Sequence, residues 1–124
     1  MVISCSHCHE IHSAKPLVQF LPLPPPFLHF EIRTAEPILP SLTLVFCHPT
    51  QPTSYKLCAI IYFGGQHFTC CLIPNTLDIW LYDGQVNGGN PVFIRSIDSE
   101  FDLTTLLSFF GRKALIYIYK LTSL

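Results

Sequence analysis

Residues 55–84 read YKLCAIIYFGGQHFTCCLIPNTLDIWLYDG, and this stretch decides the fold. Residues 55–63 are almost continuously apolar and rich in Ile and Tyr, the pattern of a strand buried on both faces. Gly64-Gly65 breaks the run. Residues 67–73 and 79–82 follow as two further apolar segments, separated by a loop that opens at Pro74-Asn75. Three such runs with turn residues between them predict an antiparallel meander. The polar residues fall at its ends: His67 opens the second run and Asp83 closes the third, behind Trp80 and Tyr82. A histidine whose ring is oriented by a carboxylate is the base half of a nucleophilic triad.

Outward from this core, residues 17–21 are a short extended candidate. Pro22, Pro24, Pro25 and Pro26 then impose a polyproline-like connector and exclude a continuous helix. Residues 27–32 and 42–46 read as strands, the first ending in the charged turn 33–36 and the second in a loop holding Pro49 and Pro52. Residues 84–91 are a Gly/Asn-rich loop. One helical pattern occurs: Asp98-Ser99 as cap, Phe101, Leu103, Leu106, Leu107 and Phe110 at mixed three- and four-residue spacing, and Gly111 as stop. Residues 114–120, ALIYIYK, form a last strand. Mostly strands with one helix near the C-terminal end predicts an α+β domain built on an antiparallel sheet.

Composition sets limits on function. The chain has 124 residues, the size of one domain with one core. It is 49% hydrophobic but only 12% charged, against roughly 25% in ordinary globular domains. That shortage implies apolar surface that expects a partner or a missing part of the fold. A net charge of −1 gives no electrostatic footprint for nucleic acid. Pro, His or charge interrupts every apolar run before it could span a bilayer, so no membrane association is expected. The N-terminal residues lack the apolar core of a secretory leader. The six cysteines are therefore expected as reduced thiols in cytoplasm or nucleus. No Gly-x-Ser-x-Gly elbow, phosphate loop or dinucleotide glycine pattern occurs.

Tyr55-Lys56-Leu57, then Gly64-Gly65-Gln66-His67-Phe68, then Trp80-Leu81-Tyr82-Asp83 resemble the histidine box of the ubiquitin-specific proteases, cysteine deubiquitinases with a papain-like fold. Residues 20–32, FLPLPPPFLHFEI, are similar to that family's Leu-Pro-x-x-Leu strand, and residues 114–120 to its closing strand. The resemblance covers most of this chain and the C-terminal half of a family domain. It implies that residues 17–124 are a partial catalytic domain, equivalent to the palm-like lobe. It also implies that the polar, Cys/His-rich residues 1–16 are a zinc-ribbon remnant, with Cys5-x-x-Cys8 at the second ligand pair. By the same resemblance His67 is the general base, Asp83 holds its imidazole, and Gly64 and Gly65 admit the thin C-terminal tail of ubiquitin. Phe68 would pack beneath the histidine, and Trp80 would fix the strand presenting Asp83.

Departures accompany the likeness. No cysteine in the chain lies in an Asn-x-Gly-Asn-Thr-Cys context, so the nucleophile is missing. Gln66 replaces a glycine, Gly84 an acidic residue, and the Trp-to-Asp segment is one residue shorter. Two functions follow: the C-terminal half of a thiol isopeptidase that cleaves ubiquitin from lysines, inactive without an N-terminal lobe carrying the cysteine, or a non-catalytic module binding ubiquitin or another protein. No cofactor is required by either. Cys5 and Cys8, with His7, His9 and His12 nearby, make half a zinc site, whereas structural zinc takes four ligands. A small structural protein holding zinc there is a third reading. Asp83-Gly84 is equally a common turn dipeptide.

Overall fold

The computed structural model describes residues 2–4, 11–13, 24–46, 52–75 and 77–123. Strands β1 (Val2–Ser4) and β2 (Ile11–Ser13) pair antiparallel as a two-stranded ribbon. The other strands form one antiparallel sheet: β3 (Phe27–Glu31), β4 (Thr43–Phe46), β5 (Thr53–Gly64), β6 (His67–Leu72), β7 (Asp78–Tyr82), β8 (Val92–Ser96), β9 (Ser108–Phe109) and β10 (Arg112–Ser123). Their spatial order is β3-β10-β5-β6-β7-β8, with β4 also on β5 and β9 on β10. The two twelve-residue strands β5 and β10 run side by side through the centre. Along the other edge of β5, β4 takes residues 53–56 and β6 takes residues 59–64.

Register separates the residues into two faces. Tyr55, Leu57, Ile60 and Tyr62 of β5 share the inner face with Tyr117 and Tyr119 of β10, Cys71 of β6 and Ile79 of β7. All of these are buried and form the core. Burial of Leu57 and Ile60 contributes about 1.5–3 kcal/mol each. The inner-face positions run 55, 57, 60, 62 because a bulge at Cys58 inserts one extra residue between the pairs Leu57–Tyr119 and Ala59–Ile118. That slip explains the continuous apolar run in the sequence. The outer face of β5 is not buried throughout, as the run suggested: Lys56 and Phe63 are exposed and Ile61 half-buried.

Irregular segments cover the inner face, and tyrosine hydroxyls fasten them. Tyr62 donates to the Leu106 carbonyl at 2.6 Å, Tyr117 to Ile38, Tyr119 to Ser41 at 2.7 Å and Tyr55 to Pro25 at 2.7 Å. Each ring thus packs in the core while its hydroxyl satisfies a loop carbonyl that has no strand partner.

The expected α+β architecture with a helix over residues 98–111 does not form; no helix of seven residues or more occurs among the described residues. Instead a 3₁₀ turn, Leu103–Leu107, is followed directly by β9. Local hydrogen bonds outcompete the helix. Asp102 accepts from the Thr104 amide at 2.9 Å and from its hydroxyl at 2.7 Å, while the Thr105 hydroxyl returns to the Asp102 carbonyl at 2.8 Å. Asp, Ser and Thr are poor interior helix residues for this reason. The apolar spacing serves irregular packing: Leu106 is buried, and Phe101, Leu103 and Phe109 lean on the core. The domain is therefore predominantly antiparallel sheet, and the expected equivalence to an α+β, palm-like lobe falls with the helix. Strand β8 is an addition that residues 92–96 did not advertise. The expected extended segment 17–21, and Cys5 and Cys8, lie outside the described residues.

Candidate functional site

The β5–β6 hairpin closes with Gly64 opposite His67, leaving only Gly65-Gln66 as the loop. Both loop residues have φ +59, the signature of a type I′ turn, whose twist matches the flanking strands. Gly65 suits that conformation, whereas Gln66 is strained in it by about 1–2 kcal/mol. The tight turn sets His67 as the first residue of β6, on the inner face with Thr69 and Cys71, at the rim where the core ends. Pairing of Cys70 with Tyr82 and Cys71 with Leu81 then carries β7 to Asp83 on the same face, diagonally across from His67.

His67 Nε2 and Asp83 Oδ1 are 2.8 Å apart. The same Oδ1 accepts from the Gln85 amide at 3.0 Å. This turn geometry realises the Asp-Gly signal and aims the carboxylate at the imidazole. The Gln85 amide, then the His67 bond, hold the Asp83 carboxyl below the usual aspartate range; the positive charge of Arg112 adds to this, and partial burial opposes it. Opposite an ionised Asp83, Nε2 is the ring nitrogen that donates, and in the neutral imidazole Nδ1 is then the nitrogen with the lone pair. The His67 side chain is 21% exposed and Asp83 14%, so the pair is sheltered yet reachable. Ring orientation by a carboxylate and an accessible basic nitrogen are what general-base catalysis needs.

No activated thiol faces that nitrogen among the described residues. Cys71 shares the face of His67 but lies four residues along the strand, about 13 Å away. Burial pushes its thiol up to about 12, with Cys70 adding to the shift. Burial likewise raises Cys58 and Cys70, the opposite of what a nucleophilic cysteine requires. Cys5, Cys8 and Cys47 are outside the described residues. No group of three or more His, Cys, Asp or Glu suited to a metal ion occurs among the described residues.

The remaining candidates take other positions. Phe68 does not sit beneath the histidine; it emerges on the outer face, 57% exposed, its ring centroid 4.5 Å from that of Phe63. Trp80 is also on the outer face, pairing with Leu72 and packing edge-on against Phe93 at 5.4 Å. From there it stiffens β7 without touching the pair. Gly64 and Gly65 have reasons internal to the chain. A Cβ on Gly64 would lie 3.1 Å from the Arg112 Cα and 3.2 Å from the Gly111 oxygen, and Gly65 supplies the positive φ.

Arg112 was not foreseen. It lies far from Asp83 in sequence and arrives through the β5–β10 register, which no local motif encodes. Comparison of the chain with protein-family models, with curated proteins and with solved structures finds no match. The functional reading rests on the chemistry of these residues and on the sequence resemblance.

Proposed function

We propose that this chain supplies the base and orienting acid of a thiol-dependent deubiquitinase and engages ubiquitin or a ubiquitinated protein inside the cell, in cytoplasm or nucleus. The observation that carries the reading is the 2.8 Å contact between His67 Nε2 and Asp83 Oδ1 at the end of a Gly-Gly hairpin. A cysteine thiol brought to His67 Nδ1 would lose its proton to that nitrogen. The thiolate would attack the isopeptide carbonyl carbon, and the imidazolium would return the proton to the departing lysine amine. A water molecule deprotonated by His67 would then hydrolyse the thioester, and the thiol would regain its proton. Asp83 would stabilise the imidazolium throughout and keep the ring in position. The reading calls on no cofactor. Zinc at Cys5 and Cys8 belongs to the same resemblance.

A second reading has its own support. The thiols nearest in the sheet are raised by burial rather than activated, which suits a non-catalytic ubiquitin-binding module. Reaction of the purified chain with a ubiquitin probe bearing a C-terminal thiol-reactive group, beside a non-reactive ubiquitin, tests both. Binding without a covalent adduct is expected of the chain alone. An adduct lost in His67→Ala would assign the nucleophile to one of the chain's own six cysteines. Absence of binding would overturn the ubiquitin reading.

A further inference from the structure

Phe110 stands at the tip of the β9–β10 hairpin. Phe109 pairs with Arg112, so the loop is the two residues Phe110-Gly111, with φ +48 and +79. Positive φ at both positions marks another type I′ turn, which favours Asn, Asp or Gly at its first position. A bulky aromatic residue is strained there. The side chain gains little in return: Phe110 is 73% exposed, the highest among the described large hydrophobic residues, with its ring centroid 6.2 Å from that of Phe109.

Strain combined with exposure is notable because of where this tip lies. The Cβ position of Gly64 is 3.2 Å from the Gly111 oxygen and 3.1 Å from the Arg112 Cα, so the tip is seated against the end of β5. The register partner of Gly64 is His67, and the charge of Arg112 reaches Asp83. On the outer face of the same hairpin end, Phe63 and Phe68 are 41% and 57% exposed. The Phe110-Gly111 tip therefore lies against Gly64, the cross-strand partner of His67, and holds Phe110 in a conformation that the chain alone does not reward.

We propose that Phe110 is a recognition residue: it packs against an apolar surface of the protein whose C-terminal tail enters beside His67. This rests on the ubiquitin reading and names a contact within it. Backbone strain at the tip is offset on binding, when the exposed ring becomes an aromatic anchor.

The test compares Phe110→Asn and Phe110→Tyr with the wild-type chain, reading thermal midpoint and affinity for immobilised, non-reactive ubiquitin. Phe110→Asn creates the preferred Asn-Gly turn and should raise Tm by roughly 3–6 °C, while weakening Kd tenfold or more. Phe110→Tyr should leave both near wild type. A raised Tm with unchanged Kd overturns the recognition role and leaves the ubiquitin reading standing. A lowered Tm for Phe110→Asn overturns the strain on which the inference is built. Failure of the wild-type chain to bind ubiquitin overturns both the reading and the inference.

Discussion

Replacing Tyr62 by Phe removes one oxygen from the middle of the core and tests what holds the covering segment down. Tyr62 and Leu106 are both fully buried, and the hydroxyl donates to the Leu106 carbonyl at 2.6 Å. Without it the carbonyl stays buried with no donor, which costs about 1–3 kcal/mol. For a domain of this size that corresponds to a fall in Tm on the order of 5 °C per kcal/mol. Two internal comparisons sharpen the estimate. Tyr55 and Tyr119 donate to Pro25 and Ser41, both exposed residues, where water can replace the lost hydroxyl. Their Phe variants should cost only about 0.5–1 kcal/mol. Trp80 is the single tryptophan, so urea unfolding followed by its fluorescence reads all three variants with one probe.

The same hydroxyl governs the alkaline limit of stability. Burial, with smaller contributions from the charges of Cys71, Tyr117 and Cys70, raises the Tyr62 phenol well above its ordinary value. Tyr55, Tyr117 and Tyr119 are raised as well, again chiefly by burial. The unfolded chain releases these protons near pH 10 and the native chain does not. The contribution of these tyrosines is therefore complete below about pH 10 and declines above it. Tyr62→Phe should start lower at neutral pH and lose stability less steeply above pH 10. A Tyr62→Phe cost no greater than that of Tyr55→Phe, or an unchanged alkaline slope, would refute the account of Tyr62 as the main fastening of the 3₁₀ segment.

Three further outcomes are expected. Gln66→Gly removes the strain of a non-glycine residue at φ +59 but adds backbone entropy to the unfolded chain, for a net gain of about 0.5 kcal/mol in chemical denaturation; Gln66→Val should lose stability. Lys56 and Lys120 stand directly opposite each other on the outer face. Lys120→Glu should therefore stabilise by about 0.2–1 kcal/mol at low salt, with the gain shrinking at 1 M salt. The Asp83 carboxyl is held low mainly by the Gln85 amide and His67, so its contribution is present above the ordinary aspartate value near 3.9 and lost as pH falls below it. An acid titration of Asp83→Asn should lack that component, and identical acid curves would show that the carboxylate is not held in solution.

The meander and the site were readable for the same reason. Apolar runs broken by Gly64-Gly65 and Pro74-Asn75 specify strands locally, and a two-residue turn fixes the register that sets His67 and Asp83 on one face. A period of two also decides what Phe68 and Trp80 can do. Phe68 is one residue from His67, and Trp80 is three from Asp83, so in extended strands both must face away from the pair. Expecting Phe68 beneath the histidine overlooked that parity. The helix over residues 98–111 failed differently. Its apolar spacing fits a helix, but Asp102, Thr104 and Thr105 satisfy one another, and spacing cannot weigh such competition. Arg112 approaches Gly64 and Asp83 through the pairing of β10 with β5, which is long-range.

The scarcity of charge and the placement of the pair point the same way. The inner face is closed by loops that tyrosines fasten, so its burial is satisfied within the chain. On the outer face Phe27, Phe63, Phe68, Tyr82 and Phe93 remain 41% or more exposed. A sheet with one finished face and one unfinished face accounts for a chain that is 12% charged without invoking a poor core. His67 and Asp83 stand at the edge between the two, oriented and partly open, with no thiol in reach among the described residues. An imidazole oriented this far suits the proposed use in company, with a cysteine brought to Nδ1.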